Sequence, residues 1–147
     1  MSSSYVSAPL RRQVAERADS HCEYRLIAEA DTFFGCEVDH IISEKHGGAT
    51  QLDHLAYACA FCNRHKGSDI GSIDWDQGVF SRFYNPRSDQ WPDHFDLEGI
   101  EIKPLSTIGA VTVRILRMNA EERLLERMTL QSQVRYPSAV ARGQMRR

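Results

Sequence analysis

The chain predicts an α+β fold in which two short strands lead into a short helix, a ββα unit with helices flanking it. Three observations predict it. Residues 33–42 are rich in aromatic and β-branched side chains, the composition of a strand. The CAFC turn holding Cys59 and Cys62 runs directly into NRHKG, which reads as a short helix over 62–66 closed by Gly67. Upstream, Leu10, Val14 and Ala18 recur at helical spacing.

Each element has a local reason. Ser7 is placed to cap the first helix and Pro9 suits its first turn, so the helix should start there and end near Asp19. Residues 21–24 form a turn that presents Cys22. The strand over 33–42 gives way to a loop at His46, Gly47 and Gly48. Residues 52–60 return as a second strand or as an irregular connection. Beyond residue 70, Phe80, Phe83, Tyr84, Trp91 and Phe95 are too many aromatics for a free linker, so they should wrap onto the preceding unit. Residues 107–117 read as a helix. Asn119 with Glu122 has the spacing of a capping box, and Leu124, Leu125 and Met128 supply the apolar face of a last helix. The expected organisation is a flexible N-terminus at 1–8, a core at 9–70, an aromatic wrap and helical extension at 71–136, and a flexible basic tail at 137–147 ending ARGQMRR.

Composition bounds the function. A chain of 147 residues supports one domain with a true core, or a small core with a long tail. The formal net charge of -2 argues against a basic coat spread over the surface but leaves room for a local basic patch. No apolar run approaches the roughly 20 residues of a membrane helix. The first residues lack a basic stretch followed by an apolar one, so no signal peptide is expected. Four cysteines, two of them in a CxxC beside histidines, read as metal ligands and not as a secreted disulfide frame; a cytoplasmic protein is expected.

Phosphodiester hydrolysis needs a base for water, a cation for the phosphate charge, and a scaffold that fixes their separation. The adjacent Asp39 and His40 suit the first two tasks. Strand alternation puts them on opposite faces, so they flank one phosphate only at a strand end or bend. Imidazole is the side chain that ordinarily titrates closest to neutral pH. An isolated Asp-His pair or a single asparagine such as Asn63 specifies little, and a CxxC fits a metal knuckle or a redox pair.

Together these pieces are specific. CEYR at 22–25, VDHIISEKHGG at 38–48, LDHLAYAC at 52–59 and CAFCNRHKG at 59–67 resemble, in order and spacing, the HNH endonuclease family with its ββα-metal core. FYNPRSDQW and PLSTIGAVTVRILRMN resemble a bacterial subfamily with a C-terminal extension, so the resemblance runs roughly from residue 10 to residue 130. It implies His40 as general base, Asp39 and Asn63 as ligands of one divalent cation, and DNA as substrate. Few protein ligands hold that ion, which favours a hard cation, Mg2+ or Mn2+. His54 stands where the family has an asparagine that orients the base. Lys66 matches a frequent lysine expected to touch phosphate, and Arg64 and His65 are expected beside it. Cys22, Cys59 and Cys62 match three of four ligands of a structural Zn2+, and Arg25 stands in the place of the fourth. An arginine cannot ligate zinc, so the expectation is a zinc site weakened or lost, with Cys36 and His21 as the only nearby replacements. The alternative function is a nucleic-acid-binding domain that kept the fold and lost efficient turnover.

Overall fold

Ser7 accepts a hydrogen bond from the Leu10 amide and opens helix α1 (Ala8–Arg17), which buries Val14 against the sheet below it. The computed structural model describes residues 5–146. Residues 1–4 of the expected flexible N-terminus, and Arg147 of the tail, lie outside the described residues. Within them Val6 is already buried.

Strands β1 (Cys36–His40) and β2 (Leu55–Cys59) pair antiparallel, from Cys36 opposite Cys59 to His40 opposite Leu55. Period-two alternation turns Cys36 and Val38 toward α1. Cys59 ends β2 and caps α2 (Ala60–Lys66), its Sγ accepting from the Cys62 amide, so the second strand enters the helix without a linker. This is the expected ββα unit. The first strand is shorter than expected, because Phe34 and Gly35 take left-handed backbone conformations and turn the chain before it pairs.

The extension forms two hairpins and further helices. Strand β3 (Gly71–Asp74) pairs with β4 (Val79–Arg82). Helix α3 (Trp91–His94) leads into β5 (Phe95–Glu98), which pairs with β6 (Glu101–Pro104). Helices α4 (Thr107–Ile115), α5 (Glu121–Ser132) and α6 (Ala139–Met145) follow. Phe83, Tyr84, Trp91 and Phe95 are buried in one apolar cluster with Cys22, Tyr24, Cys59 and Cys62. The Trp91 indole N–H donates to the Tyr24 carbonyl at 2.9 Å. The extension and the ββα unit therefore share a core; Phe80 alone of the five aromatics stays exposed.

Three local expectations fail for tertiary reasons. Asn119 does not cap α5, whose N-cap is Ala120 without a side-chain bond. Its amide instead bonds both backbone groups of Ile102 and accepts from Arg127. Leu125 and Met128 face outward, and α5 buries Leu130 and the charged Arg127. The segment expected to fray after Pro137 forms α6, capped by Ser138, with Ala141 buried in the shared core.

Candidate active-site cleft and cysteine knuckle

The strand end expected to carry the chemistry lines a cleft of about 760 Å³ that holds Glu37, Asp39, His40, Asn63 and Arg64, with Phe34 at its rim. Asn63 projects from α2 and donates from Nδ2 to Glu37 Oε2 at 2.8 Å. Glu37 and Asp39 share a strand face by alternation, yet their surroundings differ. Glu37 is exposed. Asp39 is buried, with Oδ1 3.1 Å from Lys66 Nζ and Oδ2 accepting from the Tyr24 hydroxyl at 2.9 Å. Burial pushes the Asp39 carboxyl above its ordinary range, opposed by Lys66, Tyr24 and His40.

His40 lies at the last position of β1, and its Nε2 is 2.9 Å from Thr50 Oγ1. The loop between the strands folds back tightly enough for this because Gly48 sits against the Ile42 carbonyl. A Cβ there would come within 1.6 Å of that oxygen. The histidine-glycine-glycine signal thus has a steric cause.

Two expected partners are placed elsewhere. The His54 ring is about half exposed, with Nε2 3.8 Å from Asp53, and only its backbone carbonyl meets the Ile41 amide. The side chain that meets the His40 ring is that of Thr50. Lys66 is 1 % exposed and spends its ammonium on Asp39 and on the His40 carbonyl at 2.9 Å, so it does not face a phosphate. Arg64 is exposed on α2 and His65 half-buried beside it. Glu37, Tyr24 and Thr50 escaped the sequence reading. Glu37 had one signal, since it lies two residues before Asp39 on a strand and must share its face.

At the N-terminal end of α2, Cys22, Cys59 and Cys62 bring their sulfurs within 4.8 Å of one another, all buried, a cluster able to coordinate a metal ion. Cys36 and His21 stand outside it; His21 bonds the Asp19 carbonyl and Ser138. Arg25 is fully buried at the cluster. Its guanidinium donates to Cys59 Sγ at 3.3 Å and to Glu126 of α5 at 2.8 Å. Hydrogen bonds from Cys22 and Cys62, then the charge of Arg25, hold the Cys59 thiol far below its usual range, while burial pushes Cys22 up to about 12. Burial opposes the Arg25 charge, but the three sulfurs and Glu126 more than offset it and raise its pKa. Tyr136 from the extension closes the site, its hydroxyl donating to the Arg25 carbonyl at 3.0 Å.

Residues 22–69 match the family described as HNH endonuclease, so an HNH endonuclease domain is present over that span, which contains both strands, α2 and the cysteines. No curated protein and no solved structure matches the chain. Among the described residues, no helix is long and apolar enough to cross a membrane.

Proposed function

We propose that the HNH domain at 22–69 is a metal-dependent endonuclease that hydrolyses DNA phosphodiester bonds, with His40 as general base. The observation that supports this best is the meeting of His40 with Asp39, Glu37 and Asn63 around one open cleft. A His40 whose Nε2–H donates to Thr50 Oγ1 keeps the Nδ1 lone pair for water. His40 takes the proton, the hydroxide attacks phosphorus in line, and the P–O3′ bond breaks with the 3′ oxygen taking a proton from water, giving a 3′-hydroxyl and a 5′-phosphate. The carboxylate and amide oxygens of Glu37, Asp39 and Asn63 are hard donors that suit Mg2+ or Mn2+. Such an ion, when bound, neutralises charge on the scissile phosphate and its leaving oxygen. Lys66 holds the Asp39 carboxylate and the His40 carbonyl together, fixing the acid and the base relative to each other.

Zinc fits the knuckle poorly. A structural zinc takes four ligands in a tetrahedron, and the position facing the three sulfurs is filled by a guanidinium already bonded to Cys59. We read Arg25 as the cation that stands in for the metal, tied to α5 through Glu126.

A second reading, a DNA-binding domain with weak turnover, is favoured by one contact. The buried Lys66 ammonium sits on Asp39, a cation where an ion ligand is expected. Supercoiled plasmid incubated with Mg2+ or Mn2+ separates the two. Nicked or linear product from the unmodified protein, and none from His40→Ala, supports the nuclease. Equal DNA binding by both proteins with no product from either leaves the second reading standing.

A further inference from the structure

The cleft has a rim that hydrolysis does not explain. Phe33 and Phe34 are 71 % and 75 % exposed, packed edge-to-face with each other at 4.9 Å. Phe34 sits at φ 67°, a left-handed conformation that a bulky side chain rarely adopts, and so projects its ring outward where strand composition had placed it in the sheet. Its ring lies 6.1 Å from that of Phe61, the second residue of α2, and Arg123 and Arg64 stand over Phe61 with guanidinium carbons 3.4 and 5.8 Å from its centroid. Phe34 lines the same cleft as Asp39, His40 and Asn63.

The charge beside this row is positive although the chain is net acidic. Arg64, His65, Arg117 and Arg123 line one pocket with Phe61, together with a single acid, Glu122. Arg123 is tied to Glu126 and lies on Phe61, while Arg64 and Arg117 are exposed. A π-surface beside these two exposed cations and next to the cleft matches a nucleic-acid strand with its phosphates on Arg64 and Arg117 and one base on the rings. In a paired duplex both faces of each base are covered by its neighbours. Only an unpaired or extruded base offers a face to a side chain.

We infer that Phe34, backed by Phe61, is a stacking platform for an unpaired nucleobase next to the scissile phosphate, so that the preferred substrate is single-stranded DNA or DNA with an unpaired nucleotide. The inference rests on the nuclease reading for the direction of the strand through the cleft. A protein partner is the competing occupant, because Phe33 and Phe61 also border a shallow groove with the exposed Leu125. That groove lies apart from the acids and the base, whereas Phe34 is in the cleft itself.

The test uses the full chain in EDTA with oligonucleotides carrying 2-aminopurine in three forms: a single strand, the same strand fully paired, and a duplex with the probe base in a one-nucleotide bulge. The expected result is altered 2-aminopurine fluorescence and tighter binding for the single strand and the bulge than for the paired duplex. Phe34→Ala and Phe34→Leu should both lose the signal and weaken those two affinities by at least about fivefold, while Phe34→Trp retains them. Tighter binding of the paired duplex, no fluorescence change, or unchanged affinity in Phe34→Ala overturns the inference. So does a fall in oligomeric mass of Phe34→Ala, seen by sedimentation, with DNA affinity unchanged; that result makes the rim a protein interface. Plasmid cleavage is measured separately. Stacking without cleavage removes the nuclease reading alone, and cleavage without stacking removes the platform alone.

Discussion

The knuckle and the cleft both draw on α2, through Cys62 and Asn63, and each sets a buried side-chain cation against a group of metal-ligand type. At the knuckle, Arg25 is sealed among three sulfurs and Glu126, with no solvent path to the charge. At the cleft, Lys66 covers one oxygen of Asp39 from inside the protein, while Glu37 and Asn63 stay on the open side. The same device closes one site and braces the other. What differs is the extension. Helix α5 supplies the acid that completes the knuckle, and no residue of the extension lines the cleft.

The largest effect that separates the two regions is expected at the base. His40→Ala should reduce plasmid cleavage by about 10²- to 10⁴-fold and leave the unfolding midpoint nearly unchanged, read by cleavage kinetics and denaturant titration on the same preparation. Survival of cleavage in the purified variant would move the base elsewhere. At the knuckle the pattern should reverse. Arg25→Leu removes the buried partner of Glu126 and Cys59 and should lower stability by about 3–5 kcal/mol. Arg25→Cys, with zinc supplied, should recover stability and hold one zinc per chain by elemental analysis. One tightly held zinc in the unmodified chain would show that Arg25 does not stand in for a metal.

Smaller effects sharpen the cleft. Glu37→Gln and Asn63→Ala should each weaken Mn2+ binding by about tenfold or more, read by the loss of free-ion EPR signal on titration. Asp39→Asn should weaken it less if Lys66 and Tyr24 already occupy that carboxylate. An equal or larger loss in Asp39→Asn would restore Asp39 as the chief ligand. The smallest effect is expected at His54: with its ring turned to solvent, His54→Asn should leave cleavage unchanged and shift stability within about 0.5 kcal/mol. A loss comparable with that of His40→Ala would give His54 a chemical role that its placement does not suggest.

The sequence by itself determined the ββα unit, because its determinants are local. Strand composition, the glycine pair of the loop, and a cysteine turn that doubles as a helix cap each act within a few residues. Those same short motifs brought Asp39, His40 and Asn63 to one cleft and the three cysteines to one cluster. Only the tertiary structure decided what each of these side chains touches. Arg25 read as a missing ligand until Glu126, 101 residues away along the chain, met it from α5. Lys66 read as a phosphate contact until Asp39 and the His40 carbonyl claimed its ammonium, and the partner of His40 proved to be a threonine that no motif marks. A buried charge must find an opposite charge or a hydrogen bond wherever packing brings one. Such a partner is chosen by the fold's long-range contacts, which leave no periodicity or spacing in the chain to be read.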